Sequence, residues 1–115
     1  MKIMHSEKLD DVVVASFDEN ISKFNALITE EAKKDITSLY AKSGTKLALN
    51  LDGIKYIDST GFGVFLSALK TARNTSGHFK IYNVKPDVYD LFRLLQLHNV
   101  FEIYDNLEDC LNSFK

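Results

Sequence analysis

The chain has 115 residues, 45% of them apolar and 26% charged, with a formal net charge of −2. These proportions belong to a folded chain with a real core and exclude a disordered segment, and one domain over residues 1–115 is expected. The negative balance argues against a nucleic-acid partner, for which a basic face would be expected.

Further exclusions follow from particular residues. Cys110 has no second cysteine to pair with, and His5, His78 and His98 are scattered, so no metal site and no cofactor are expected. No apolar run approaches the roughly 18 residues of a membrane span. The N-terminal stretch lacks the apolar segment of a signal peptide. A cytoplasmic, reducing location without direct membrane insertion is the expectation.

In chain order, residues 2–8 suit a first edge strand, and Val12 to Phe17 form a β-branched, apolar second strand. The acidic pair Asp10-Asp11 supplies the turn between them. Residues 18–25 make a polar connection carrying Ile21 and Phe24. A helix is expected over residues 26–41, with Leu27 or Ile28, Ala32, Ile36, Leu39 and Tyr40 on one face. Its acidic residues fall early and Lys42 near its end, as the helix dipole favours. Ser43-Gly44-Thr45 stops it.

Leu47, Ala48, Leu49 and Leu51 form a compact apolar run, the pattern of a strand covered on both faces. Asp52-Gly53 turns the chain, and Tyr56 to Gly63 leads into a second helix with Phe62, Phe65, Leu66, Leu69 and Ala72 at spacings of three and four. A strand at residues 79–84 and a helix opened by Pro86 come next. That helix carries Val88, Leu91, Phe92, Leu94 and Leu95. A short strand at residues 100–104 precedes a last helix, capped by Asn106 and bearing Leu107, Cys110, Leu111 and Phe114. Cys110 is expected as a small core residue.

The order is β β α β α β α β α. Alternating strands and helices require crossover connections and parallel neighbours, while the opening pair can be antiparallel. The fold class expected is therefore α/β, a mixed, mainly parallel sheet of four to five strands with about four helices.

The strand-to-helix junction carries the chemistry. Asp58, Ser59 and Thr60 are residue types whose side-chain oxygens accept the unpaired first-turn N–H groups of a helix. Gly61 and Gly63 each weaken a helix interior by about 1 kcal/mol relative to alanine. Two reasons for keeping them are open: a partner or phosphoryl group approaching Ser59, or tight packing of the helix start on a neighbouring strand. Phe62 and Val64 are open to a similar pair of readings, partner contact or core. Ser59 lacks the nucleophile-elbow pattern of a hydrolase, and the glycines lack the lysine and spacing of a phosphate-binding loop. No catalytic set is visible, so an enzyme is not expected.

Most of the chain resembles the STAS family, specifically the bacterial anti-sigma factor antagonists. The segment Asp58-Ser59-Thr60-Gly61-Phe62-Gly63-Val64 is similar to the family's Asp-Ser-Ser/Thr-Gly-Leu-Gly-Val. Leu49-Asn50-Leu51-Asp52 matches the strand before it, and residues 88–104 match the family's helix and short apolar segment. The resemblance implies partner switching. Ser59 would be phosphorylated by a serine kinase that is also the anti-sigma factor. The unmodified form would bind that kinase, the modified form would be released, and a phosphatase would reset it.

Asp58 would then orient the serine hydroxyl or a kinase-bound metal, or simply cap the helix. Thr60 is the less favoured phosphate acceptor. The partner-binding set implied by the resemblance is Asp58, Thr60, Gly61, Phe62, Gly63, Val64, Ser22 and Asn25. One segment departs from the family. Where its members carry Gly-x-Leu-Asp followed by Thr-Ala beside the phosphorylation loop, this chain has Glu19-Asn20-Ile21-Ser22 followed by Asn25-Ala26. That departure keeps an alternative open: a non-phosphorylated STAS binding subunit of a membrane transporter complex.

Overall fold

The structure is a computed structural model and describes residues 3–115. Its elements are β1 (Met4–Leu9), β2 (Val12–Phe17), β3 (Lys23–Phe24), α1 (Thr29–Ser38), β4 (Lys46–Asn50), β5 (Tyr56–Ile57), α2 (Ser59–Asn74), β6 (His78–Tyr82), α3 (Pro86–Leu94), β7 (Glu102–Tyr104) and α4 (Leu107–Asn112). Five strands form the main sheet in the order β1-β2-β4-β6-β7. β1 is antiparallel to β2 and the remaining neighbours are parallel. The expected mixed α/β sheet with four helices is therefore the one observed; Lys2, placed in the first strand by its sequence, lies outside the described residues.

The β1–β2 hairpin turns on Asp10 and Asp11, both in the left-handed region at φ 49° and 77°. Two such residues suit a two-residue hairpin loop, whose twist matches the strands. β4 lies between β2 and β6, and Leu47, Ala48, Leu49 and Leu51 are fully buried, as a strand covered on both faces should be.

Two apolar layers flank the sheet. The larger contains Ala15, Phe17, Leu47, Leu49, Phe79 and Ile81 from the strands, with Ala32 and Ile36 of α1, Phe62, Phe65, Ala68 and Ala72 of α2, and Val88 and Phe92 of α3. Phe65 is its hub, with ring centroids 5.3 Å from Phe24 and 6.2 Å from Phe92 and Phe101. The smaller layer joins Val12, Val14, Ala48 and Tyr82 to Cys110 and its neighbours on α4.

Three expectations need correction. α1 begins at Thr29 and ends at Ser38, not across residues 26–41, and Leu27 is 91% exposed. The cause is local: Asn25 Oδ1 accepts the N–H of Leu27 at 3.1 Å, and Ala26 N–H is drawn away toward Asp58. Asx turns of this kind compete with helix initiation. Lys42 thus lies beyond α1 rather than in its last turn. Second, residues 23–24 are not simple connection but β3, paired in parallel with β5 as a separate two-stranded sheet. Third, Leu66, Leu94 and Leu95 are exposed rather than core-facing.

Candidate functional site

The two-stranded sheet positions the junction. β3 and β5 are held by Lys55 N–H donating to the Ser22 carbonyl at 2.7 Å and Asp58 N–H to the Phe24 carbonyl at 3.1 Å. This brings the chain around Ser22 and Asn25 against the start of α2.

Asp58 ties the two segments together. It is the N-cap of α2, with extended backbone, and its Oδ1 accepts from Gly61 N–H at 3.1 Å and from the Thr60 hydroxyl. Its Oδ2 accepts from Ala26 N–H at 3.3 Å. The carboxylate so held lies below its usual range, chiefly through the Thr60 hydroxyl bond. Partial desolvation opposes that, and the N–H groups of Gly61, Ala26 and Thr60 reinforce it. Asp58 therefore fills the capping role.

The two hydroxyls that follow are not equivalent. Ser59 is the first residue of α2 and is exposed, and among the described residues its hydroxyl makes no intramolecular hydrogen bond. The Thr60 hydroxyl is committed to Asp58. A group transferred to Ser59 would sit at the positive end of the α2 dipole, which suits an anion.

The glycines separate too. A Cβ on Gly61 would lie 2.7 Å from Ile57 Cγ2, 2.9 Å from the Phe24 carbonyl oxygen and 3.2 Å from Phe24 Cδ2. Gly61 is thus explained by the helix start packing onto β3 and β5. A Cβ on Gly63 would meet nothing within 4 Å. Packing does not require that glycine; it leaves a bare patch of exposed backbone.

Phe62 and Val64 are only 3% and 5% exposed, so both side chains belong to the core and neither presents a direct partner contact. The Phe62 ring meets Phe92 edge-on at 4.9 Å. They hold α2 in place. The outward stripe of α2 is instead Ser59, Gly63 and Leu66, at helical spacing. Leu27, next to the Ala26 that touches Asp58, and Tyr56 of β5 add exposed apolar surface beside it. Sequence periodicity assigns Leu66 to the core face and gives no signal for Tyr56. The start of α1 at Thr29 separates Leu27, which is exposed, from Ile28, which packs against the core.

The STAS domain model matches residues 4–110. The protein therefore belongs to the STAS domain family. The anti-sigma-B factor antagonist of Listeria monocytogenes is 28% identical over 90 residues, 78% of each chain. A STAS-domain anti-sigma-factor antagonist protein from Planctomyces limnophilus superposes with a TM-score of 0.88, at 15% identity and covering 96% of each chain. The Bacillus cell fate determinant SpoIIAA in its phosphorylated form gives a TM-score of 0.71 at 16% identity, over 97% of this chain and 99% of that one. Both structural likenesses concern the fold.

Proposed function

We propose that this protein is an anti-sigma factor antagonist that works by partner switching. It binds a serine kinase that doubles as the anti-sigma factor while Ser59 is unmodified, and is released once Ser59 carries a phosphate; a phosphatase restores it. The observation that carries the reading is the contrast at the start of α2, where the Ser59 hydroxyl is exposed and uncommitted while Thr60 is bonded to Asp58. Curated relatives named anti-sigma factor antagonists support the class of function.

The binding surface consists of Ser59, the backbone at Gly63, Leu66 and the neighbouring loop with Ser22, Asn25 and Leu27. Thr60, exposed beside Ser59, borders it, and Asp58 and Gly61 shape it from beneath. Phosphorylation adds roughly 1.5 to 2 negative charges. At the N-terminus of α2 that charge is tolerated by the fold, although Asp58 repels it. At the partner's surface a dianion must be desolvated where a neutral hydroxyl once sat. Each 1.4 kcal/mol of that penalty weakens binding about tenfold. Release thus needs no refolding.

The test has two parts. Phosphopeptide mass spectrometry on the protein from its own cells should place phosphate on Ser59 and leave Thr60 unmodified. Binding to the cognate kinase should survive Ser59→Ala and be lost in Ser59→Glu. A Ser59→Glu protein that binds as tightly as wild type would sink the switch and leave a constitutive binding module, such as a transporter's STAS subunit.

A further inference from the structure

The open edge of β1 is a second surface, unconnected with the Ser59 turn. β1 is the outer strand of the main sheet and six residues long, whereas β7 at the opposite edge has three. Antiparallel pairing alternates, so every second residue turns its backbone groups away from the partner strand. The Asp18 N–H bonds to the Ile3 carbonyl at 2.7 Å, which sets the phase. Ile3, His5, Glu7 and Leu9 face β2, and Met4, Ser6 and Lys8 direct their N–H and C=O groups outward.

Side chains on β1 divide between the two faces. Met4, Ser6 and Lys8 lie opposite Phe17, Ala15 and Val13, on the side covered by α1 and α2. His5 and Glu7 lie opposite Ser16 and Val14 on the other side. Between β1 and α1 runs an open groove of about 450 Å³, lined by Met4, Ser6, Ala15, Leu39 and the carboxylates of Glu31 and Asp35. Glu31 and Asp35 are one helical turn apart, and among the described residues neither carboxylate nor Lys8 has an ion-pair partner.

We infer that β1 is the interface of a two-fold homodimer in which β1 pairs antiparallel with its copy, centred on Ser6. Directly opposite residues in such a pair share a face. Centring on Ser6 sets Met4 opposite Lys8 and His5 opposite Glu7, each twice by symmetry. All the outward-facing residues, Met4, Ser6 and Lys8, then exchange backbone bonds. Lys8 of the second copy arrives beside Met4, at the mouth of the groove holding Glu31 and Asp35. On the other face the imidazole of His5 meets the carboxylate of Glu7.

Shifting the centre to Glu7 places two carboxylates opposite each other. Shifting it to His5 carries Lys8 beyond Met4 and away from the groove. Charged residues on an edge strand ordinarily discourage pairing. Here their order is self-complementary in one register, which identifies a second copy of this chain as the occupant.

Light scattering and sedimentation velocity on the full chain, over a concentration series, test this. Wild type should show a monomer–dimer equilibrium that weakens with added salt. Lys8→Glu should raise the dimer dissociation constant roughly tenfold or more, since both ends of the interface change. Combining it with Glu31→Lys and Asp35→Lys should restore the dimer. Ser6→Pro, at an outward N–H that β2 does not use, should give a folded monomer. A wild type that stays monomeric throughout overturns the inference. So does a dimer indifferent to both Lys8→Glu and Ser6→Pro, or one that the triple variant fails to restore.

Discussion

Gly61 and Gly63 lie two residues apart in the first turns of one helix, and alanine should act on them in opposite directions. Replacing an exposed helical glycine with alanine stabilises by about 0.4–1 kcal/mol, mainly by restricting the unfolded chain. At Gly63 nothing lies within 4 Å of the new methyl, so that gain should appear in full. At Gly61 the same gain is opposed by contacts at 2.7 Å with Ile57 Cγ2 and 2.9 Å with the Phe24 carbonyl oxygen. A backbone oxygen cannot turn aside, so β3 or the start of α2 must shift. Overpacking of this kind costs about 1–3 kcal/mol. Gly61→Ala should therefore end below wild type by up to about 2 kcal/mol, and Gly63→Ala above it by up to about 1 kcal/mol. Urea titration of both variants at constant m gives the comparison directly. If Gly61→Ala proves as stable as Gly63→Ala, the close approach of α2 to β3 and β5 is wrong. Binding separates the roles further: Gly63→Ala should remain well folded yet bind the kinase less tightly, because its methyl stands on the outward stripe with Ser59.

Further outcomes concern the cap, the far face of the sheet and the cysteine. Because the Asp58 carboxyl is held below its ordinary range, its ionised form favours the fold. That contribution is complete above the unfolded-state value and is lost as pH falls through the folded one. Thermal unfolding between neutral pH and the lower carboxylate range should fall less steeply for Asp58→Asn than for wild type; parallel curves would remove Asp58 from the account. Lys80, 6% exposed, donates to the Ser113 carbonyl at 3.1 Å and hydroxyl at 3.0 Å, and its ammonium lies 4.3 Å from the Phe114 ring centroid. Lys80→Met should cost about 1–3 kcal/mol and loosen α4, read by denaturant titration. Burial pushes the Cys110 thiol up to about 11. Thiol reagents at mildly alkaline pH should thus label it only on unfolding, and faster in Lys80→Met; prompt labelling of the native wild type would contradict its place under α4.

Local chemistry made much of the architecture legible. The β-branched run at residues 12–17, the apolar run at residues 47–51 and the helical spacing after Gly61 each specify one element with little help from the rest of the chain. Asn106 caps α4 as its sequence suggests, accepting the Asp109 N–H at 2.8 Å. By contrast, β3 and β5 are two residues each, too short to carry any period. They exist because Phe24 and Ile57 are buried together against α2. The early start predicted for α1 failed for a related reason: the Ala26 N–H is captured by a carboxylate 32 positions away.

By itself, the sequence determined that a strand must pass into a capped helix at residues 58–61 and that an acidic residue, two hydroxyls and two glycines crowd that junction. Residue type and spacing suffice for this, because capping and periodicity are interactions within a few positions. Only the tertiary structure decided how those residues divide: Asp58 and Thr60 bonded to each other, Ser59 free at the surface, Gly61 pressed on β3 and β5, Gly63 open, Phe62 and Val64 turned into the core. That division depends on which neighbour arrives from a distant part of the chain, and burial is set by such non-local contacts rather than by the order of residues along the helix.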